Sequence, residues 1–208
     1  MKTLNPVAKG LLPLLAGMLL LGSLSAAAAE SASAMVKTTS ERMLSALEGQ
    51  RAAIERNPGR IYGLVDRILV PHFDFEKITR AAVGKHWGSA TPAQRKALTE
   101  GFQQVLIRTY AKALLSYSGE DIRFLPERRG HGGSTVVVPT EVRESGGKPI
   151  PIQYKLYKTG GSWKVYDVTI DNVSLVANYR SSFNAQIRQY GIDGLISRLN
   201  EMNQKGRG

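Results

Sequence analysis

Two acidic side chains near the end of the chain have the types and spacing of an acid–base pair. Asp167 and Asp171 stand four residues apart in a stretch that alternates apolar and polar residues, so a strand would direct both carboxylates to the same side of a sheet. Paired carboxylates can transfer protons during hydrolysis. No nucleophile or histidine accompanies them, and one of them is well placed to cap the helix predicted next. We therefore favour a structural role for the pair.

The histidines and the glycine-rich segments give no stronger sign of chemistry. His72, His86 and His131 lie in three separate segments, with no acidic residue at the spacing of a metal site. The sequence contains no nucleophile elbow, phosphate-binding loop, dinucleotide-binding fingerprint or zinc-protease motif. The basic, glycine-rich residues 128–133 have the composition of an anion site, but such a loop is more often a solvated hairpin tip. The sequence therefore predicts neither an enzyme nor a cofactor site.

The first residues have the pattern of a secretory signal peptide. Two lysines precede an apolar run over residues 11–24, and a series of small residues then ends at Ala29. The apolar run is shorter than the roughly 20 residues that span a bilayer. We predict cleavage near Ala29, which makes residues 1–29 a signal peptide and residues 30–208 a single exported domain located in the periplasm.

Charge and cysteine content narrow the class of partner. The chain carries a formal net charge of +11, and loss of the two lysines of the leader leaves +9. Such a basic protein suits an anionic membrane, an acidic protein or nucleic acid, and nucleic acid is the least consistent of these with export. The sequence has no cysteine, so an apolar core rather than disulfides must stabilise the exported protein.

Apolar residues at helical spacing fill the first half of the exported part. They predict helices over residues 35–56, 61–69, 74–83 and 91–117. The fourth helix is the longest, and it opens with a capping-box pattern at Thr91 and a proline at its first position. Its apolar side is two residues wide in every turn, so we expect neighbouring elements to cover it deeply.

After residue 122 the apolar period changes from helical spacing to two. This pattern predicts four strands, over residues 122–124, 136–142, 150–156 and 163–170, and the chain closes with two predicted helices, over 174–190 and 192–202. Short glycine turns join the later strands, so strands that are neighbours in sequence are expected to pair antiparallel. The predicted fold class is α+β, an antiparallel sheet of about four strands with helices packed on one face.

Apolar surface is the remaining candidate for a functional site. The long helix, the inner face of the sheet and the corner at residues 173–183 are expected to meet in one place. Periodicity is consistent with a solid core and also with a lined cavity. On pattern alone, both alternatives stay open.

Three blocks of the sequence, in a fixed order, carry a resemblance to a known family. They are FDFEKITRAAVGKHW at residues 73–87, TPAQRKALTEGFQQVLIRTYAKAL at 91–114 and WKVYDVTIDNVSLVANYRSSF at 163–183. Together they resemble the MlaC family of periplasmic phospholipid shuttles, also known as toluene-tolerance proteins. One departure is visible, because relatives often have Glu-Gly-Val-Ser where this chain has Asp-Asn-Val-Ser from Asp171. Asparagine tolerates a positive φ, so we expect the turn to form without glycine.

The resemblance implies a function and a set of partners. Members of the family enclose a deep apolar cavity between helices and a sheet, where the acyl chains of a phospholipid lie with the headgroup at the mouth. They are not enzymes and use no cofactor. They pass lipid between an outer-membrane lipoprotein bound to porin and an inner-membrane complex of MCE-domain protein, permease and ATPase. In this way they maintain the lipid asymmetry of the outer membrane.

The expected lipid-binding residues combine this resemblance with the apolar pattern. They lie on the long helix, on two strands and at the strand–helix corner, and are Phe102, Val105, Leu106, Tyr110, Leu114, Val136, Val138, Ile152, Tyr154, Leu156, Val168, Ile170, Val173, Leu175 and Val176. Two alternatives from other classes stay open. One is a periplasmic adaptor with a solid core that binds only proteins, and the other is a small hydrolase that uses Asp167 or Asp171 as its base.

Overall fold

The computed structural model describes residues 30–116, 119–130, 134–143 and 147–205. The predicted signal peptide and His131 lie outside the described residues. The α-helices are α1 (Ala32–Gly49), α2 (Arg51–Arg56), α3 (Arg60–Ile68), α4 (Phe75–Val83), α5 (Pro92–Leu115) and α6 (Leu175–Lys205), and two short 3-10 helices lie at Val70–His72 and Gly84–Trp87. The strands are β1 (Asp121–Phe124), β2 (Arg128–Arg129), β3 (Thr135–Arg143), β4 (Ile150–Thr159), β5 (Ser162–Ile170) and β6 (Val173–Ser174). None of the described helices is long and apolar enough to cross a membrane.

Side chains at three helix starts accept hydrogen bonds from backbone amides that a helix leaves free. Ser31 caps α1 through its hydroxyl, and Asp74 caps α4 through its carboxylate. At the start of α5, Thr91 and Gln94 each accept a hydrogen bond from the backbone of the other. The capping box predicted from the sequence is thereby confirmed.

Two helix boundaries depend on single residues. The sequence predicted one helix over 35–56, but the structure divides it at Gln50, whose φ of −117° and ψ of 10° are not helical. Helix α6 is interrupted at Gly191, where φ is 72° and ψ is −177°. A positive φ of this kind is readily adopted only by glycine. This interruption falls at the predicted boundary between the two closing helices.

The strands form one antiparallel sheet in the order β1-β3-β4-β5-β6, and β2 also pairs with β3. The α+β class and the antiparallel pairing of neighbours are confirmed. The sheet has six strands rather than about four, because β2 and β6 are each two residues long. A two-residue strand is too short to show an alternating pattern in the sequence.

Register places side chains from three strands in rows on the inner face of the sheet. Val138 pairs with Tyr154, and Tyr154 pairs with Val168. The next row runs from Ile152 to Ile170 and on to β6. Because alternate residues of a strand face the same side, these rows bring residues that are distant in sequence onto one apolar wall.

A two-residue turn joins β5 to β6. Asp171 has a φ of 47° and Asn172 a φ of 64°, as a type I′ hairpin turn requires at both central positions. The expectation that asparagine supports this turn without glycine is confirmed. Beside this hairpin, Phe73 forms a bridge with Val165, so the segment before α4 lies along the same edge of β5.

Buried apolar residues form three clusters. We call the first the solid core, which joins α4, α5 and α6 and contains Ile78, Ala82, Val83, Trp87, Leu98, Phe102, Val105, Leu106, Phe183, Ile187, Leu195 and Leu199. The second joins α1, α2, α3 and α5 and contains Met43, Leu47, Ile54, Ile61, Leu64, Val65, Ile107 and Ala111. The third joins the start of α1 to the sheet and contains Ala32, Met35, Val36, Val138, Leu156, Val165 and Val168.

The first described residues are fastened to the sheet. The indole of Trp163 donates a hydrogen bond to the backbone oxygen of Glu30 (2.8 Å). The amide of Ser33 donates to the carboxylate of Glu127 (3.0 Å), and Ala32 is fully buried. Strand β5 and the connection between β1 and β2 therefore fix the entry of the chain into α1.

Candidate functional site

Two cavities lie between the sheet and the C-terminal half of α5. The large cavity has a volume of about 390 Å³ and is bounded by α1, the end of α5 and strands β1, β3, β4 and β5. The small cavity has a volume of about 290 Å³ and is bounded by α3, α4, α5, β4, β5 and the start of α6. Together these volumes fall in the range of roughly 300–1,000 Å³ that is typical of small-molecule sites.

The two cavities adjoin each other. Their shared lining comes from α5, the sheet and the connection from α3 to α4, and consists of Leu69, Phe73, Ala113, Leu114, Ile152, Tyr154 and Ile170. The large cavity reaches the surface beside Ser116, an exposed residue at the end of α5. The site is therefore a branched apolar space with an opening at one end of the long helix.

The lining is mostly hydrocarbon, and its polar groups are concentrated in the large cavity. There Thr39, Ser40, His72, Ser116 and Glu120 contribute polar atoms. Of the described residues that line the small cavity, Asp167 is the one that carries a charged group. A space of this composition has few hydrogen-bonding groups to offer, so it suits an aliphatic ligand better than a polar one.

The carboxylate of Asp167 is occupied by the protein itself. Its oxygens accept hydrogen bonds from the ammonium of Lys155 (2.9 Å), the hydroxyl of Ser174 (2.8 Å) and the amide of Val176 (3.3 Å). The Ser174 hydroxyl in turn accepts from the amide of Ala177 (3.1 Å). This network fixes the first turn of α6 to β5, and the structural role favoured for one of the two aspartates is confirmed.

Two titratable side chains on the cavity walls are held in their neutral forms. Burial lowers the pKa of His72 below 6.5, and the positive charges of Lys164 and Arg42 lower it further. Burial also raises the pKa of the Tyr154 phenol above 10, although a hydrogen bond with Thr140 acts in the opposite direction. Neither group therefore brings a charge to the hydrocarbon surface near neutral pH.

Nine of the residues expected from the sequence line the cavities. They are Leu106, Tyr110, Leu114, Ile152, Tyr154, Val168, Ile170, Leu175 and Val176. They come from α5, β4, β5 and α6, which confirms that these elements meet in one place. The structure therefore brings most of the expected set onto one continuous surface.

The structure places the other six expected residues elsewhere. Phe102 and Val105 belong to the solid core, since this part of α5 faces α4 and α6 and leaves no free space. Val138 and Leu156 are fully buried against the start of α1, where Val136 also packs. Val173 is 55% exposed, because the turn before it leads the chain onto the short edge strand β6.

One wall of the site was not predicted from the sequence. It includes residues of α1, of the connection from α3 to α4 and of the start of α4, namely Met35, Val36, Met43, Leu44, Leu69, Val70, Phe73 and Phe75. The signal for α1 was present, because Met35, Thr39 and Met43 recur every four residues and are all buried. Nothing in the sequence indicated that this buried side would face a cavity.

Metal binding has no support within the described ranges. No three histidine, cysteine, aspartate or glutamate side chains come close enough together there to hold a metal ion. His72 and His86 lie in different parts of the fold, His72 on the wall of the large cavity and His86 in the turn after α4. The site is accordingly described by its shape and its apolar lining alone.

Comparison with known proteins gives a consistent result. The family model described as MlaC protein matches residues 37–201. The chain is 30% identical over 186 residues to the toluene tolerance protein ttg2D of Pseudomonas putida, which covers 89% of this chain and 84% of that protein. It is 23% identical over 170 residues to the intermembrane phospholipid transport system binding protein MlaC of Haemophilus influenzae, with 80% and 79% covered.

A solved structure is similar in fold and in sequence. It is the phospholipid-binding protein of Ralstonia solanacearum in complex with a phospholipid. The two structures superpose with a TM-score of 0.78 at 33% sequence identity, and the match covers 86% of this chain and 99% of that one. The likeness therefore extends over most of the chain.

Proposed function

Because the chain belongs to the MlaC family, we propose that it is a periplasmic phospholipid-binding transport protein. It binds phospholipid in the two adjoining cavities and shuttles it between the outer-membrane and inner-membrane components of the Mla system. The observation that carries this proposal is the apolar space between the sheet and α5, which opens beside Ser116. Its shape and lining suit acyl chains.

The energetics of lipid transfer explain why such a space is needed. A diacyl phospholipid has roughly 30 methylenes, and each costs about 0.8 kcal/mol to expose to water, so a free monomer faces a barrier on the order of 20 kcal/mol. A carrier must cover the acyl chains during the crossing. It must also release them, and aliphatic walls without directed hydrogen bonds allow both.

We assign one acyl chain to each cavity. The nine expected residues on the walls, together with Leu69 and Phe73, would contact the chains. Leu114 and Tyr154 line both cavities and would lie between the chains. The headgroup would remain at the opening near Ser116, where polar atoms line the large cavity.

Location and partners follow from the same premise. Cleavage of residues 1–29 would release the protein into the periplasm. Its partners would be the outer-membrane Mla lipoprotein with porin and the inner-membrane MCE-domain protein of the Mla transporter. Delivery between them would maintain the lipid asymmetry of the outer membrane. The protein itself would catalyse no reaction and would need no cofactor.

The alternatives are less well supported by the geometry. An adaptor that binds only proteins has no use for two apolar cavities beneath its sheet. A hydrolase would need Asp167 or Asp171 as a base, but the oxygens of Asp167 are occupied by Lys155 and by the start of α6. Asp171 lies in the exposed turn between β5 and β6.

Extraction of the purified protein with organic solvent, followed by mass spectrometry, tests the function. We expect phospholipid at about one molecule per protein. Absence of lipid would support the adaptor, and accumulation of lysolipid or fatty acid over time would support the hydrolase. Either result would overturn the proposal.

A matched pair of variants tests the assigned cavity. Ile170 lines both cavities, whereas Val173 is exposed three residues later. We expect Ile170→Glu to lose at least about nine-tenths of the bound lipid, because an unpaired carboxylate in an apolar space is strongly unfavourable, and Val173→Glu to keep it. If Ile170→Glu does not fold by circular dichroism, Ile152→Trp fills the space instead. Full lipid content in a folded cavity variant would contradict the assignment.

A further inference from the structure

A polar cleft lies on the opposite side of α4 from the apolar cavities. It has a volume of about 640 Å³ and is formed by α4, the end of β4 and α6. Helix α4 separates the two environments, because Ile78 lines the small cavity while Lys77 and Arg80 line the cleft. The proposed transport of lipid gives this cleft no role.

The cleft holds an ammonium group in a fixed position. The Nζ atom of Lys77 lies 3.3 Å from the centre of the Tyr157 ring and 5.1 Å from that of Tyr166. Cation–π contact at these distances restrains the ammonium but leaves its N–H donors available. Positive charge is therefore organised here in advance of any ligand.

The carboxylate beside this ammonium is already satisfied. Asp74 accepts a hydrogen bond from the amide of Lys77 (2.8 Å) and another from the hydroxyl of Tyr157. The bond to Asp74 is the main reason that the pKa of Tyr157 is raised to about 12, with burial adding to it. Asp74 thus serves the start of α4 and the tyrosine, and Glu76 is the other acidic residue that lines the cleft.

Two arginines, Arg80 and Arg180, also line the cleft. Gly84 ends α4 with a φ of 64°, and a Cβ atom there would lie 3.4 Å from Nε and 3.5 Å from Nη2 of Arg180. The guanidinium of α6 therefore rests directly on the backbone at the end of α4. In the part of the chain that the structure describes, neither Arg80 nor Arg180 forms a salt bridge.

We propose that this cleft is a docking site for an acidic segment of a partner protein. Carboxylates of the segment would bind Arg80 and Arg180 as bidentate partners, and a further carboxylate would reach Lys77. Charge complementarity supports an acidic occupant, because three cations and two carboxylates line the cleft and the carboxylate of Asp74 is already occupied by the protein. The chain without the two leader lysines also carries a net charge of +9.

The shape of the cleft favours a protein segment over a membrane surface. The cations lie in a recess between two helices and the end of a strand, which an extended segment with projecting side chains can enter. A bilayer presents its headgroups as a broad layer that would engage exposed basic residues over the whole face of the protein. The assignment is independent of whether lipid occupies the apolar cavities.

Fluorescence anisotropy with a labelled octapeptide of alternating glutamate and glycine tests the site, and the same peptide with glutamine in place of glutamate is the control probe. We expect Arg180→Glu and Arg80→Glu each to weaken binding at least about tenfold. Arg188→Glu changes the net charge equally at an exposed position two turns further along α6, and we expect a change of less than about twofold. Arg180→Lys keeps the positive charge but lacks the planar guanidinium that binds a carboxylate through two hydrogen bonds. Its loss of peptide affinity should therefore lie between those of Arg180→Glu and Arg188→Glu.

Three outcomes would overturn the proposal. Equal losses in Arg180→Glu and Arg188→Glu would show that net charge alone attracts the peptide. Undiminished binding by both cleft variants would show that the peptide binds elsewhere. The third outcome comes from sedimentation with vesicles of phosphatidylglycerol and phosphatidylcholine. If the cleft variants lose vesicle binding and keep peptide binding, the occupant of the cleft is a membrane and not a protein segment.

Discussion

The two halves of α5 have similar apolar sides but different surroundings. In the N-terminal half, Phe102 is fully buried, and its ring centre lies 4.8 Å from those of Tyr179 and Phe183 in edge-to-face contact. In the C-terminal half, Tyr110 and Leu114 line cavities. An apolar stripe on a helix therefore becomes core or cavity wall according to the element that lies opposite it.

Close approach between helices accounts for the solid half. A Cβ atom on Gly101 would lie 3.2 Å from the Cβ atom of Leu199, and the side-chain amide of Asn203 donates to the backbone oxygen of Gly101 (3.0 Å). Helix α6 can therefore lie directly against α5 at this point. In the other half, the sheet faces α5 across the two cavities.

Truncation of Phe102 should give the largest effect and should be confined to stability. Phe102→Ala removes a ring from a fully packed site, so we expect the free energy of unfolding to fall by about 3–5 kcal/mol. Bound phospholipid per folded molecule should not change. Urea unfolding and lipid analysis of the same preparation measure both quantities. Loss of lipid at full stability would show that the solid half takes part in binding.

Truncation of Leu114 should give a smaller effect that depends on lipid. Leu114 is half-buried and already faces empty space, so Leu114→Ala should destabilise the delipidated protein by only about 1 kcal/mol. The loss should be larger in lipid-loaded protein, because the variant also gives up contacts with the acyl chains. Unfolding curves of both forms check this. A loss equal to that of Phe102→Ala without lipid would mean that the cavity half is packed as densely as the core.

The pH dependence of the free energy of unfolding should be the smallest of the three effects. It should arise from His72, which lies on the wall of the large cavity. The unfolded chain binds a proton at His72 near pH 6.5, but burial and the charges of Lys164 and Arg42 lower the pKa of this residue in the folded protein, and Glu30 opposes them only weakly. Stability from this group is therefore present above pH 6.5 and is lost as the pH falls toward the lowered value.

Comparison with His72→Gln isolates this contribution. Unfolding measured by urea between pH 7.5 and pH 5 should show a shallower decline in the variant than in the wild type. If the two proteins lose stability in parallel, water reaches His72 freely and the wall of the large cavity is more open there than its lining indicates.

Several features of the fold were predictable because local chemistry determines them. The capping box at Thr91 needs only two side chains and a proline in a fixed order. The break at Gly191 needs one residue that accepts a positive φ. The antiparallel order of β3, β4 and β5 followed from short turns between alternating segments.

The walls of the site were only partly predictable, because no local pattern in the sequence reports how far apart two packed elements lie. Phe102 and Tyr110 belong to the same apolar side of α5, yet the first packs solidly and the second lines a cavity. Val173 looked like part of the corner, but it lies on the two-residue edge strand β6 and is 55% exposed. The contribution of α1 was hidden because Met43 and its neighbours read as ordinary buried residues.

The attachment of the first described residues to the sheet bears on how the protein can be produced in the laboratory. Trp163 holds the backbone of Glu30, and Ala32 is buried two residues later. An affinity tag or fluorescent reporter joined directly before Glu30 would begin beside Trp163 of β5. A fusion placed after the end of α6 avoids that position, so recombinant versions intended for reporter experiments should carry their label there.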